Sequence, residues 1–159
     1  MTKPYALYQS SICLFPMRKT KTGELEVLLQ RRGKKCSFAP NMWEAGVAGH
    51  IDDGENSIDA VLHETEEEIG LKLNAKDLIF NTVVEKYVGD KKLTACFIFA
   101  YTVFKWKGVE KIGEPEKCEE LKWFNVKKLP KDMIDDRKMM LKAILAKNTH
   151  FLANWENRK

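Results

Sequence analysis

Between Ser57 and Ile69 the chain sets Ile58, Val61, Leu62, Thr65 and Ile69 at i, i+3, i+4, i+7 and i+11. That spacing lines one side of a helix with apolar groups. Asn56 or Ser57 can cap its start, and Gly70 supplies a left-handed stop. A helix with one apolar face must bury that face against something, and the flanking sequence offers strands. Ser11–Phe15 and Glu24–Gln30 read as two strands joined across the turn TKTG. Trp43–Ala48 reads as a short buried strand, after a basic loop Arg31–Asn41 that contains Gly and Pro. Leu78–Tyr87 and Leu93–Phe104 read as strands separated by the turn VGDKK, and Glu120–Val126 as another. Asp132 or Asp135 can open a last helix with Met139, Met140, Ile144 and Leu145 as its apolar stripe. Those methionines read as core. The order predicts an α/β (α+β) domain with a mixed sheet, one domain over residues 1–159.

Charge is unevenly spread. The chain carries a net +4, yet residues 55–70 hold Glu55, Asp59, Glu64, Glu66, Glu67 and Glu68 and no Lys or Arg, so the rest carries +10. A metal on the carboxylates and phosphates on the surrounding bases would suit both halves. A run of this kind can also be a solvated helix face.

The spacing sharpens the choice. Glu64, Glu67 and Glu68 stand at i, i+3 and i+4, with Cβ atoms about 5–6 Å apart on one side of a helix. Three carboxylates that close repel unless a cation neutralises them, and an oxygen-only set without Cys or His suits Mg2+ or Mn2+ rather than zinc. Glu66 points away and reads as solvated. Ahead of the helix, Gly49 can bring its carbonyl close to a metal. Glu55 can bind metal or favour the positive helix N-terminus.

The stretch GHIDDGENSIDAVLHETEEEIGL, residues 49–71, resembles the signature of the Nudix (MutT-like) hydrolase family, G-x5-E-x7-R-E-U-x-E-E-x-G-U with U aliphatic. Gly49, Glu55, Glu64, Glu67, Glu68, Gly70 and Leu71 stand at the required positions. His63 replaces the family's Arg, and Thr65 an aliphatic residue. The resemblance implies an α/β/α sandwich with the sheet between helices. It also implies hydrolysis of a diphosphate linkage in a nucleotide, with Mg2+ or Mn2+ on Glu64, Glu67 and Glu68. A nucleoside triphosphate cut to the monophosphate and pyrophosphate is the leading substrate class. ADP-ribose, dinucleoside polyphosphates and capped RNA are alternatives, as is a non-catalytic nucleotide-binding regulator.

The resemblance also suggests roles. His63 would orient Glu67 as the family's Arg does, with one donor in place of a guanidinium fork. Thr65 can pack like Val if its hydroxyl bonds back to the helix. The general base would be Glu64, or Glu119 or Glu120 ahead of Trp123 and Phe124. Arg31 and Arg32, with Lys34 and Lys35, would contact phosphate. Asp135 and Asp136 lie where related enzymes hold the nucleobase, though they can equally cap the last helix. Phe38 and Trp43 can stack on a base, but core packing suits each better.

Other readings are weaker. An isoprenoid diphosphate isomerase of this fold would use histidines ahead of the signature, and none precedes His50. Basic motifs interleaved with aromatics are missing, which argues against a nucleic-acid partner. The longest apolar run, Ala95–Phe104, is half a membrane span, and the opening residues carry no apolar leader core. Four scattered cysteines without a CxxC pair fit a reducing cytoplasm. A monomer or a homodimer is expected.

Overall fold

The computed structural model describes residues 7–89 and 93–158. Eight strands and two α-helices follow in order. They are β1 (Tyr8–Lys19), β2 (Leu25–Arg32), β3 (Trp43–Ala45), β4 (Val47–His50), α1 (Ser57–Ile69), β5 (Leu78–Tyr87), β6 (Ala95–Val103), β7 (Cys118–Asn125), α2 (Asp135–Leu145) and β8 (His150–Ala153). The strands run in the order β3-β2-β1-β6-β5-β8, with β4 also on β1 and β7 also on β2. β1–β6 and β5–β8 are parallel and the other pairs antiparallel, so the sheet is mixed as expected.

β1 organises the layers. Successive side chains of a strand point to opposite faces. Ile12 and Leu14 join a core with Ala60, Val61 and Ile69 of α1, whereas Cys13, Phe15 and Met17 join one with Met140, Leu141 and Ile144 of α2. A helix therefore covers each face of the sheet, the α/β/α arrangement. Among the described residues no helix is long and apolar enough to cross a membrane.

Helix α1 has the expected bounds. Asn56 caps it by accepting from the backbone N–H groups of Ile58 and Asp59, and Gly70 ends it at φ 69°. Its buried face is turned relative to the expected stripe. Ala60, Val61, Thr65 and Ile69 are inside and Ile58 is exposed. Ala60, with only a methyl side chain, stands out little in a periodicity, so the expected stripe lies too far toward Ile58. Thr65 donates its hydroxyl to the Val61 carbonyl, which satisfies a buried polar group as expected.

Other boundaries shift. The basic loop starts at Gly33, because Arg31 and Arg32 still pair with β7. The expected strand Trp43–Ala48 divides at Gly46, where a Cβ would lie 2.6 Å from Pro16 Cδ. The last helix opens at Asp135, not Asp132, with Ile134 as N-cap and no side-chain cap. Its buried side is Asp136, Met140, Leu141, Ala143 and Ile144, while Met139 and Leu145 face solvent. The turn VGDKK extends into 90–92, outside the described residues. The short strand β8 has no counterpart among the expected elements.

Candidate active site

Helix α1 crosses the end of β4 so that two of its carboxylates meet the β4 backbone. Glu68 Oε2 accepts from the Ala48 N–H at 3.1 Å and from the Gln30 side-chain amide at 3.1 Å. Glu64 lies against Gly49 so closely that a Cβ there would fall 2.1 Å from Glu64 Oε1. Gly49 thus cradles the carboxylate, which is a physical reason for glycine at that position. Burial raises the Glu64 carboxyl above its ordinary range and pushes Glu68 up to about 8. Two half-dehydrated carboxyls that repel each other are a site a hard cation would relieve. The donor set, oxygen only, fits Mg2+ or Mn2+.

Glu67 is held apart from that pair. It is exposed, and its Oε2 sits 3.3 Å from His63 Nε2. His63 Nδ1 lies 3.2 Å from Glu55 Oε1, so the imidazole bridges two carboxylates. The hydrogen bond to Glu55 raises the His63 pKa. Glu55 also accepts from the Asp52 N–H at 3.3 Å. Among the described residues, no three His, Cys, Asp or Glu side chains converge on one point. Glu66 is solvated as expected, 3.0 Å from Lys72 Nζ.

The loop before β7 docks on the C-terminal end of α1. Lys111 N–H donates to the Ile69 carbonyl and Gly113 N–H to that of Glu68, at 3.0 and 2.8 Å. This contact brings Glu114 near Glu64 and Glu68, whose carboxyls its charge pushes further up. Lys117 Nζ lies 2.6 Å from Glu114 Oε1. Of the two carboxylates ahead of Trp123, Glu119 is exposed and accepts from the Lys34 N–H at 3.3 Å, and Glu120 pairs in register with Arg31. Neither lines the cavity.

A cavity of about 760 Å³ opens from Glu64 and Glu68 along the sheet. Arg32, Phe38, Glu44, Lys86 and Arg137 also line it. Phe38 is 46% exposed at this cavity, so core packing, the expectation for it, is corrected; the Gly33–Met42 loop holds it out over the opening. Trp43 does pack in the core, edge-on to Phe124. Arg32 lines the cavity, whereas Arg31 turns to the Asn41 carbonyl at 3.2 Å and lies outside it, as do Lys34 and Lys35.

The charges among them form an ion network with Asp136. Glu44, 1% exposed, accepts from Arg32 Nη1 at 3.2 Å and from Arg137 Nε. Asp136 accepts from Lys86 Nζ at 2.5 Å and Arg137 Nη1 at 3.1 Å. Burial pushes the Asp136 carboxyl up, but Arg137 and Lys86 outweigh it and hold it below its ordinary range. Asp135 is exposed and outside the cavity. Glu44, Lys86 and Arg137 escaped the sequence reading. The one available signal was a charged Glu44 inside an apolar strand, since a buried charge needs partners.

Known proteins share this fold. The chain resembles the MutT NUDIX hydrolase of Burkholderia pseudomallei, with a TM-score of 0.70, 22% identity, and coverage of 86% of this chain and 97% of that one. It also resembles the NUDIX domain of Shewanella oneidensis NrtR, solved with ADP ribose, with a TM-score of 0.69, 17% identity and coverage of 91% of each chain. In sequence it is 44% identical over 48 residues to the m7GpppN-mRNA hydrolase NUDT17 of Xenopus laevis, a match spanning 30% of this chain and 16% of that protein. The family description NUDIX domain matches residues 7–143. The chain belongs to the Nudix hydrolase family.

Proposed function

We propose that the protein hydrolyses a diphosphate linkage in a nucleotide, with Mg2+ or Mn2+ held by Glu64 and Glu68, by Glu67 from the rim, and by the carbonyl of Gly49. The observation that carries this is the pair Glu64 and Glu68, partly dehydrated against β4 in the wall of a nucleotide-sized cavity. When bound, the ion neutralises phosphate oxygens and lowers the pKa of the attacking water. The protein's own groups do the rest. Water adds to phosphorus, the bridging P–O bond breaks, and a carboxylate takes the water's proton. Glu64 is the base in this reading, because it lines the cavity and Glu119 and Glu120 do not. His63 positions Glu67. Arg32 meets negative charge on the substrate. Asp136 holds Lys86 and Arg137 in place rather than accepting from a base itself.

The likeness to a domain solved with ADP ribose and to an mRNA-cap hydrolase leaves several nucleotides in view. Nucleoside triphosphates, cut to the monophosphate and pyrophosphate, head the panel. The test is phosphate and pyrophosphate release from triphosphates, ADP-ribose, dinucleoside polyphosphates and capped RNA with Mg2+. Turnover of one class, lost in Glu64→Gln and Glu67→Gln, supports the reading. No metal-dependent turnover of any class overturns it in favour of a nucleotide-binding regulator.

A further inference from the structure

One lysine in the wall of the cavity stands apart from the ion network. Lys117 lines the cavity together with Glu64 and Glu68, and its Nζ lies 2.6 Å from Glu114 Oε1. An exposed ion pair of this kind contributes little to stability by itself. What sets this one apart is where the backbone holds it.

Residues 114–117 read Glu-Pro-Glu-Lys and form a turn closed by the Lys117 N–H on the Glu114 carbonyl at 3.0 Å. Pro115 takes the second position, where its fixed φ suits a turn. The turn is held from two sides. On one side the Gly113 N–H donates to the Glu68 carbonyl at 2.8 Å. The chain comes so near α1 there that a Cβ on Gly113 would overlap the Glu67 carbonyl oxygen. On the other side the Lys117 carbonyl accepts from the Gly33 N–H at 2.7 Å and from Cys36 Sγ at 3.4 Å.

The charges follow from that placement. The hydrogen bond to Glu114 raises the Lys117 pKa, and the charges of Glu68 and Glu64 add to the rise. Burial lifts the Glu64 carboxyl, and Lys117 opposes the lift. One monovalent cation thus sits in the field of three carboxylates. The same field attracts a divalent ion, and two cations in one field repel. The ammonium has three N–H groups and gives one to Glu114, which leaves donors for an acceptor in the cavity.

We propose that Lys117 is the resident counter-cation of the Glu64 and Glu68 site: it partly neutralises the carboxylates until a divalent ion enters, and its ammonium then contacts the diphosphate held there. This rests on the hydrolase reading above and adds a substrate-contacting residue to it. Lys117 opposes the ion alone and favours the ion with its diphosphate, so its removal should act with opposite signs on the two.

The test is titration of the full chain with Mn2+, followed by the paramagnetic signal of the ion, for wild type, Lys117→Gln and Lys117→Arg. Lys117→Gln should bind Mn2+ about three- to tenfold more tightly than wild type, because a repelling charge is gone. The second arm titrates each protein, at saturating free Mn2+, with methylenediphosphonate, whose P–C–P bridge resists hydrolysis. Lys117→Gln should bind it at least about fivefold more weakly, the loss of one charge-assisted hydrogen bond. Lys117→Arg keeps the charge and should stay within about threefold of wild type in both arms. Mn2+ affinity that is unchanged or weakened in Lys117→Gln overturns the proposal, as does unchanged binding of the diphosphonate. A merely structural pair with Glu114 would lower the thermal midpoint and give no such opposite shifts. Nucleotide turnover alongside an unmoved Mn2+ affinity sinks the proposal and leaves hydrolysis standing. Opposite shifts without turnover of any nucleotide do the reverse, and a wild type that binds no Mn2+ overturns both.

Discussion

Glu68 and Ala48 are joined by a hydrogen bond from the β4 backbone to the α1 carboxylate, 3.1 Å long, through the same Oε2 that takes the Gln30 amide. The two donors favour the ionised form, yet burial wins and raises the carboxyl from 4.5 to about 8. A carboxyl raised on folding stabilises the protein fully below its unfolded value and loses that contribution as pH rises through the folded value. Without metal, stability should therefore fall between pH 4.5 and about 8, by on the order of 3 kcal/mol. Glu68→Gln keeps both hydrogen bonds and removes the charge. Thermal melts in EDTA should place this variant roughly 5–10 °C above wild type at pH 8 and level with it near pH 4.5. Mn2+ or Mg2+ should raise the wild-type midpoint more at pH 8 than at pH 5, and the variant's far less. A flat wild-type profile in EDTA would remove burial as the controlling cause.

Gly49→Ala puts a methyl group 2.1 Å from Glu64 Oε1. The atom displaced is the end of a flexible side chain, so the fold should give up less than about 1 kcal/mol. The site should lose much more, because misplacing a catalytic group by about 1 Å can cost 100-fold. The expected result is a thermal midpoint close to wild type with metal-dependent turnover down at least tenfold. An active variant would mean that Glu64 acts from a position other than its place beside Gly49.

The features that were legible in the sequence share a property: each is local. Helix α1 and its caps follow from a 3.6-residue period and two capping residues, and the carboxylate spacing follows from the same helix. The ion network in the cavity is assembled from β2, β3, β5 and α2, which lie up to 105 positions apart between Arg32 and Arg137. No periodicity carries that association. Lys86 sits at a strand position like any solvated lysine until Asp136 arrives from α2. Phe38 looked like core because aromatic residues usually are, and only the path of its loop sets it at the opening. Glu114 is one of four acidic residues within 113–120, and only the backbone bonds of Lys111 and Gly113 to α1 bring it near Glu64 and Glu68.

His63 bridges Glu55 and Glu67 from a half-exposed position. Its hydrogen bond to Glu55 raises its pKa above 6.5. A raised histidine contributes stability below its unfolded value and loses it as pH climbs through the folded one. His63→Ala should therefore melt below wild type at pH 5.5 and level with it at pH 9. His63→Arg keeps a charge at both carboxylates across the range. Its rate should decline less than that of wild type between pH 6 and 9, with the larger gain at the alkaline end. Identical pH–rate profiles for His63→Arg and wild type would show that the bridge does not govern Glu67.

Glu44 holds the cationic cluster together by accepting from Arg32 and Arg137 while almost fully buried. Glu44→Gln removes the negative charge and leaves two cations facing an amide. Breaking a buried pair in this way costs about 3–5 kcal/mol, or roughly 6–20 °C in thermal midpoint. Arg137→Met alone should cost a similar amount, since Glu44 and Asp136 both lose a partner. In the double variant the penalties should not add, and a coupling energy of about 1–3 kcal/mol should separate the sum of the singles from the measured value. Acid adds an independent check, because the Asp136 carboxyl is held below 3.8 by Arg137 and Lys86. A carboxyl lowered on folding stabilises above its unfolded value and loses that contribution as pH falls through the folded one. Wild type should begin to lose this contribution only as pH drops below about 3.8, whereas Asp136→Asn should melt lower than wild type at pH 7 and converge with it in strong acid. Additive single variants, or an Asp136→Asn deficit that does not shrink at low pH, would break the network into independent contacts and leave Arg32, Lys86 and Arg137 without a common scaffold.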